Sequence, residues 1–266
     1  MQLDIATHLE LSLGEPTDLL LQIEAAHLPE QQVLRGHIAT SPTEHFARVM
    51  AQDNIGERVW IKASGLFTVD YTARVEIMRS VGAIEHLAQL PTHLLPGEAI
   101  PYLMDSPYCP AKRFRCQVDA QFGGLSGGAL VSAMRDWIYQ HFTYAPATSD
   151  ANTTALDSFI ERRGVCRDFA HVLITFARAA TIPARYASVY APGVNPQDFH
   201  AVAEVFLADP NGISGSWHLV DPTFMAQAGE MAKIAIGRDA ADASFITNYG
   251  PLFLNLMAIE VTAAPA

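Results

Sequence analysis

At 266 residues, half of them apolar and 17% charged, the chain can build a sizeable core and is not a disordered segment. Its formal net charge of −11, with a pI near 5.3, argues against nucleic acid or an anionic membrane surface as its main partner.

The N-terminal third reads as β. Leu3–Leu11, Asp18–Glu24, Arg58–Ala63 and Leu66–Ile77 alternate apolar and polar residues, and Gly14, Pro16, Pro29, Gly36, Pro42 and Gly56 punctuate the region. Short strands of this kind suggest an antiparallel, sandwich-like domain over residues 1–90, with a scaffolding role. The Pro-rich stretch from Pro91 to Pro110 reads as a linker with one helical turn, leading a second domain over residues 91–266. Val131, Met134, Ile138 and Phe142 recur at helical spacing, which predicts an amphipathic helix from Leu130 to Phe142. Asp150-Ala151-Asn152-Thr153-Thr154 is rich in capping residues and leads into a short helix through Leu156, Phe159 and Ile160. A further helix starts at Cys166, with apolar residues at helical spacing and no breaker until Pro183. Strands follow at about Ala184–Tyr190, Ala201–Leu207 and His218–Val220, with a hairpin turn across Asp209-Pro210-Asn211-Gly212. The tail Asn255–Val261 is expected to return as one more strand. The predicted fold is α+β, with the helix carrying Cys166 packed on an antiparallel sheet.

The segment Arg163-Gly164-Val165-Cys166-Arg167-Asp168-Phe169-Ala170-His171 sets a cysteine where a loop becomes a helix. A thiol there lies beside unpaired backbone N–H groups and the positive end of the helix dipole. Both favour the nucleophilic thiolate. Alone, such a cysteine would be read as an inert buried thiol. Two later segments change that. Alternation along Phe199–Leu207 puts His200, Val202, Glu204 and Phe206 on one face of a strand, and Asp221 stands at the rim of the next strand, ended by Pro222. Cysteine, histidine and aspartate so placed can form a nucleophile, base and orienter. The backbone N–H of Cys166 would supply half of an oxyanion hole, and Tyr144 is the candidate for the second donor. His171 is five residues past Cys166, about 500° of helical rotation, so it points elsewhere and reads as a core histidine. Asp168 and Arg167 read as capping or ion-pair residues, Asp198 as a turn residue, and Arg185 as a partner of Asp168 or Glu204.

These motifs, with Ile182–Tyr186, Asp198-Phe199-His200-Ala201 and Trp217…Asp221-Pro222-Thr223, resemble the bacterial transglutaminase-like, thiol protease-like superfamily. Phe142–Pro146 with Asn152–Ala155, Tyr102–Cys109 and Gly237–Asp242 extend the likeness in fixed order from about residue 95 to 250. The first ninety residues resemble, more weakly, the β-rich domain that accompanies this core. The resemblance implies a papain-like or transglutaminase-like core in which Cys166 is the nucleophile, His200 the general base and Asp221 the residue that orients it. Two positions depart from the family's pattern: Val202 replaces an aromatic, and Val189 replaces a glycine in Ser188-Val189-Tyr190. Both are placed on the acyl-acceptor side of the cleft.

The expected activity is thiol-dependent acyl transfer on a peptide or protein amide, with no cofactor. Hydrolysis is favoured, because a cross-linker must exclude water from its intermediate. The rival is a catalytically silent binding or assembly module of the same fold. No CxxC or HxxxH spacing supports a metal. Met1-Gln2-Leu3-Asp4-Ile5 lacks the features of a signal peptide, and no apolar run is long enough to span a bilayer. With three cysteines, a reducing cytoplasm and no membrane partner are expected. Cys109 and Cys116 flank a Pro110-containing loop, but that setting keeps them as thiols. Homo-oligomer formation is left open. The Tyr190–Phe199 loop, with Pro192, Gly193 and Pro196, is a lid candidate.

Overall fold

The alternating segments of the N-terminal third join into two long strands. The structure, a computed structural model, describes residues 1–212 and 214–264. It begins with β1 (Gln2–Leu21), β2 (Gln31–Thr40), β3 (His45–Met50) and β4 (Glu57–Ile77). The break expected between Leu11 and Asp18 is a register shift between Leu13 and Thr17. The break between Ala63 and Leu66 is Gly65, whose φ of +73° suits a residue without Cβ. Register places Leu3 beside Val75, Leu9 beside Val69 and Leu19 beside Ile61, so the inward face of the antiparallel pair is a continuous apolar layer. β2 and β3 escape the alternation rule because most of their residues are exposed on both faces. They complete the sheet along the two halves of β4.

Short 3-10 turns between residues 84 and 114 lead to α1 (Arg115–Phe122) and α2 (Gly127–His141). Then come β5 (Thr143–Tyr144), α3 (Ala155–Glu161), β6 (Arg163–Gly164) and α4 (Cys166–Ala179). The second sheet holds β7 (Ala184–Tyr190), β8 (His200–Ala208), β9 (Gly215–Val220) and β10 (Ala232–Gly237), in the antiparallel order β10-β7-β8-β9. β11 (Ile246–Asn248) and β12 (Leu252–Ala263) return to the first sheet, both pairing with β1. The expected tail strand is therefore longer than its sequence signal, and the first sheet is built from both ends of the chain.

α4 departs from an amphipathic reading: every residue from Asp168 to Ala179 is buried. β7 and β8 cover one side, while α2, α3 and the turn at Ala111–Phe114 cover the other. Arg178, near its C-terminal end, is tied down. Arg178 donates from Nε to the Ala184 carbonyl at 2.9 Å and from Nη1 to Met104 O at 3.1 Å and Ser106 Oγ at 3.0 Å. The three cysteines are free thiols, with Cys109 buried and Cys116 exposed.

The two sheets are welded by buried polar contacts. Tyr190 Oη donates to the Ile23 carbonyl at 2.7 Å and lies 3.0 Å from Thr7 Oγ. Gln31 Nε2 donates to the carbonyls of Ala26 at 2.7 Å and Lys233 at 2.8 Å, and Gln31 Oε1 accepts from Lys233 N at 2.5 Å. Among the described residues, no helix is long and apolar enough to cross a membrane.

Candidate active site

Three short devices set the position of Cys166. Thr154 and Asp157 cap α3 reciprocally: the Asp157 carboxylate accepts from Thr154 N at 2.9 Å, and Thr154 Oγ accepts from Asp157 N at 3.4 Å. Arg162 ends α3 at φ +56°, turning the chain back, and its guanidinium stacks 4.0 Å from the Phe159 ring centroid. β6 then pairs in parallel with β5, setting Tyr144 opposite Gly164, and Ala145 N donates to Gly164 O at 2.8 Å. Tyr144 is thereby brought to the first residue of α4.

Asp168, at the third position of α4, closes the turn. Its Oδ2 accepts from Val165 N at 2.8 Å and its Oδ1 from Ser149 Oγ at 2.9 Å, with Arg167 Nη2 at 3.4 Å. Asp168 is thus the cap and ion-pair partner expected. Gly164 must be glycine for the same reason: a Cβ there would stand 2.6 Å from both Cβ and Oδ2 of Asp168. Gly164→Ala is expected to push that carboxylate off Val165, cost about 1–3 kcal/mol and slow thiol labelling at Cys166. Thermal unfolding and a labelling time course check this together.

The side chains of His200 and Asp221 are buried, and His200 Nε2 lies 2.9 Å from Asp221 Oδ2. The other ring nitrogen, Nδ1, is buried without a well-formed hydrogen bond among the described residues. Cys166 is near enough to act on the ring through hydrogen bonding and charge. Burial alone would lower the imidazole pKa. Asp221 and Cys166 outweigh it by hydrogen bonding and charge and push it up to about 10. Asp221 is held low in turn: burial opposes its charge, but His200 and the donors of Thr223 outweigh that. The structure therefore brings Cys166, His200 and Asp221 together, with His200 in the middle.

The turn that Asp221 itself begins holds its carboxylate, as an Asp-Pro start leads one to expect. Its Oδ1 accepts from Thr223 N at 2.8 Å and Thr223 Oγ at 2.7 Å, while its Oδ2 also accepts from Ala226 N at 2.9 Å. The Asp-Pro-Thr spacing is the available signal, an aspartate bonding the backbone two residues on. Tyr144 lies close to Cys166. Burial and the charge of Cys166 raise its phenol pKa, while the Cys166 backbone N–H, hydrogen-bonded to the phenol oxygen, pulls it back. The hydroxyl consequently stays protonated beside the same backbone donor.

Other readings resolve around this centre. His171 is fully buried, its Nε2 accepts from Ala240 N at 3.1 Å, and its ring stacks on Tyr108 at 5.2 Å. Burial, then the charges of Arg167 and Arg178, hold its pKa well down, so it is a neutral core histidine. Asp198 Oδ1 accepts from Phe199 N at 2.6 Å, a turn contact. Arg185 pairs with Glu204 at 2.6 Å, not with Asp168. Val189 and Val202 are fully buried in a small apolar cluster with Tyr102, Ala187 and Leu219, so they fill core rather than rim the cleft. The lid candidate is fastened. Gln197 Nε2 donates to the carbonyls of Ala191, Pro192 and Val194, its Oε1 accepts from Val261 N at 3.1 Å, and Phe199 stacks 4.8 Å from Phe245.

Comparison with known proteins identifies the fold and family. Residues 121–222 match the family model of the Transglutaminase-like superfamily. The solved structure of a "Putative Cysteine Protease from Cytophaga hutchinsonii" is 30% identical, aligns over 100% of this chain and 91% of its own, and superposes with a TM-score of 0.91. The uncharacterized protein ML0607 of Mycobacterium leprae is 31% identical over 119 residues, 43% of this chain and 41% of its own length. Rv2569c of Mycobacterium tuberculosis, also uncharacterized, is 33% identical over 127 residues, 42% of this chain and 40% of its own length. The chain spans about two fifths of the length of these curated relatives.

Proposed function

Because this chain belongs to the transglutaminase-like superfamily, we propose that it is a thiol enzyme that cleaves amide or peptide bonds through Cys166, His200 and Asp221. The observation that carries the reading is the His200 ring, held at Nε2 by Asp221 and close enough to Cys166 to feel its charge. In the resting form the imidazole holds the thiol's proton. The thiolate of Cys166 adds to the amide carbonyl, and the oxyanion is met by the Cys166 backbone N–H and the Tyr144 hydroxyl. His200 then passes its proton to the departing nitrogen as the C–N bond breaks, leaving a thioester. Water adds to the thioester while His200 takes its proton. Collapse releases the carboxylic acid and restores the thiol pair. Asp221 keeps the ring in the tautomer and orientation these transfers need.

Water is the proposed acceptor. Cys166 is half-buried rather than enclosed, and the residue two beyond His200 is a valine packed into the core. An intermediate open to solvent is hydrolysed before an amine captures it. A panel of glutamine-containing and simple amides, assayed for ammonia with and without an added primary amine, tests this. Ammonia release unchanged by the amine is expected, whereas amine incorporation would make the protein a cross-linker. Iodoacetamide provides the parallel check on the thiol. Near neutral pH it should label Cys166 faster than exposed Cys116, and Cys166→Ala should lose that fast phase while staying folded. Slower labelling at Cys166 than at Cys116, with no turnover, would leave a silent module of this fold.

A further inference from the structure

A cavity of about 980 Å³ adjoins the second sheet. Neither Cys166 nor His200 lines it, but Asp221 forms part of its wall. Its volume lies at the upper end of the range for small-molecule sites, roughly 300–1,000 Å³. Trp217, Leu219 and Phe224 give it apolar walls. Most of its buried charges are already matched: Glu204 takes Arg185 and Lys233, each at 2.6 Å.

Arg79 is matched only loosely, by Glu30. Its side chain is only 10% exposed, and its Nη1 donates to the carbonyls of Ala228 at 2.7 Å and Met231 at 3.0 Å. Its Nη2 is buried with no hydrogen-bond partner among the described residues, and Glu30 Oε1 stands off at 3.7 Å. A buried guanidinium donor with no hydrogen bond and only a loose ion pair is under-satisfied, and a carboxylate is its natural complement. The Glu30 side chain is one-third exposed, so its loose contact is the one an incoming carboxylate displaces.

We propose that this cavity binds a carboxylate-bearing ligand of small-peptide size with an apolar or aromatic body, its carboxylate on Nη2 of Arg79 and its body against Trp217 and Phe224. The site is separate from the acyl-transfer centre yet joined to it through one segment. That segment starts at Asp221 and continues through Phe224, a non-glycine residue at φ +58° whose ring lies under the Arg135 guanidinium at 4.6 Å. It ends where Arg79 clasps Ala228 and Met231. A ligand that fixes Arg79 thereby stiffens the segment that supplies Asp221 with the Ala226 and Thr223 donors.

The test uses the full chain carrying Cys166→Ala, so that no ligand is turned over and the outcome does not depend on the proposed chemistry. The indole N–H resonance of Trp217, identified with Trp217→Phe, is followed during titration with N-acetylphenylalanine and, separately, N-acetylphenylalanine amide. A saturable shift with the acid, at least tenfold tighter than with the neutral amide, is expected. Arg79→Gln should abolish the preference for the acid. Since that variant also loses the clasp on Ala228 and Met231, Val81→Trp is the second arm. Val81 lines the cavity and is 57% exposed, so the larger ring blocks the site without entering the core. No saturable shift, equal affinity for acid and amide, or acid binding unchanged by Val81→Trp overturns the proposal. Inactivity toward every amide, by contrast, would count against the catalytic reading alone.

Discussion

Asp221→Asn is expected to lower turnover by about 10³–10⁴-fold, on a fold that still forms. The reason is in the donor count. Oδ1 of Asp221 receives two donors, Thr223 N and Thr223 Oγ, and Oδ2 receives two more, His200 Nε2 and Ala226 N. A carboxylate accepts all four, but an asparagine has a single acceptor oxygen. Whichever way the amide turns, one pair of donors faces its NH₂ group. If that pair includes His200, the ring loses the partner that fixes its tautomer. If it is the Thr223 pair, the rim turn loosens, at about 1–3 kcal/mol for the unpaired donors.

The imidazole supplies an independent readout. Its pKa, pushed up to about 10, rests on Asp221 and Cys166 acting against burial. A histidine whose folded pKa exceeds its unfolded value of about 6.5 contributes stability that is complete below pH 6.5 and is lost as pH rises through about 10. Asp221→Asn removes a hydrogen bond and a charge that both favour protonation, so the His200 pKa must fall. The part of the stability gap that comes from His200 should be full below about pH 6.5 and shrink as pH rises through about 10, leaving the cost of the unpaired donors. Proton NMR titration of His200 and urea unfolding at pH 7 and pH 10 measure these quantities. A loss of turnover under tenfold, or an unmoved His200 titration, would remove Asp221 from the machinery.

The sequence is most informative where a period runs long. α2 and α4 carry enough turns for their spacing to show, and β7 matches its expected limits, Ala184–Tyr190. α1 does not show, because only Val118 and Phe122 of its eight residues are buried and no stripe can form. β2 and β3 are hidden for a related reason, since strands exposed on both faces have no apolar side to alternate. Cys166, His200 and Asp221 were legible as candidates because they sit at ends of regular elements, where a helix start and two strand rims mark them. Most of their supports were not, because they are tertiary. The amide of Gln197 bridges its own loop to Val261, 64 residues away, and makes a fixed strut of a stretch whose prolines and glycine suggest a lid. The two valine departures mislead similarly. Val202 shares the His200 face of β8, as alternation predicts, but that face is itself covered at this point by Tyr102, Ala187 and Leu219.

Glu204→Ala is expected to cost about 3–5 kcal/mol, roughly 10 °C in melting temperature for a chain of this size. Glu204 is buried, and its two oxygens take Arg185 Nε and Lys233 Nζ, each at 2.6 Å. Neither cation has an equal substitute: Asp53 stands 3.7 Å from Arg185, and Glu30 is 3.3 Å from Lys233 and one-third exposed. Removing the shared carboxylate leaves two cations in the sheet with weaker, wetter partners, although the Arg185 guanidinium still stacks 3.9 Å from the Trp217 ring centroid. Acid titration separates this account from a simple packing loss. Burial alone would raise the Glu204 pKa, but Lys233 and Arg185 override it and hold the carboxyl at about 2. A depressed folded pKa gives stability that is present above the unfolded value of about 4.5 and is lost as pH falls through about 2. The parent should therefore shed about 3 kcal/mol between those limits on account of this residue, and Glu204→Ala should lack that portion of the acid limb. A variant that melts within about 2 °C of the parent and keeps the same acid limb would show that the three charges merely coexist, and that β7, β8 and β10 are held by their apolar faces alone.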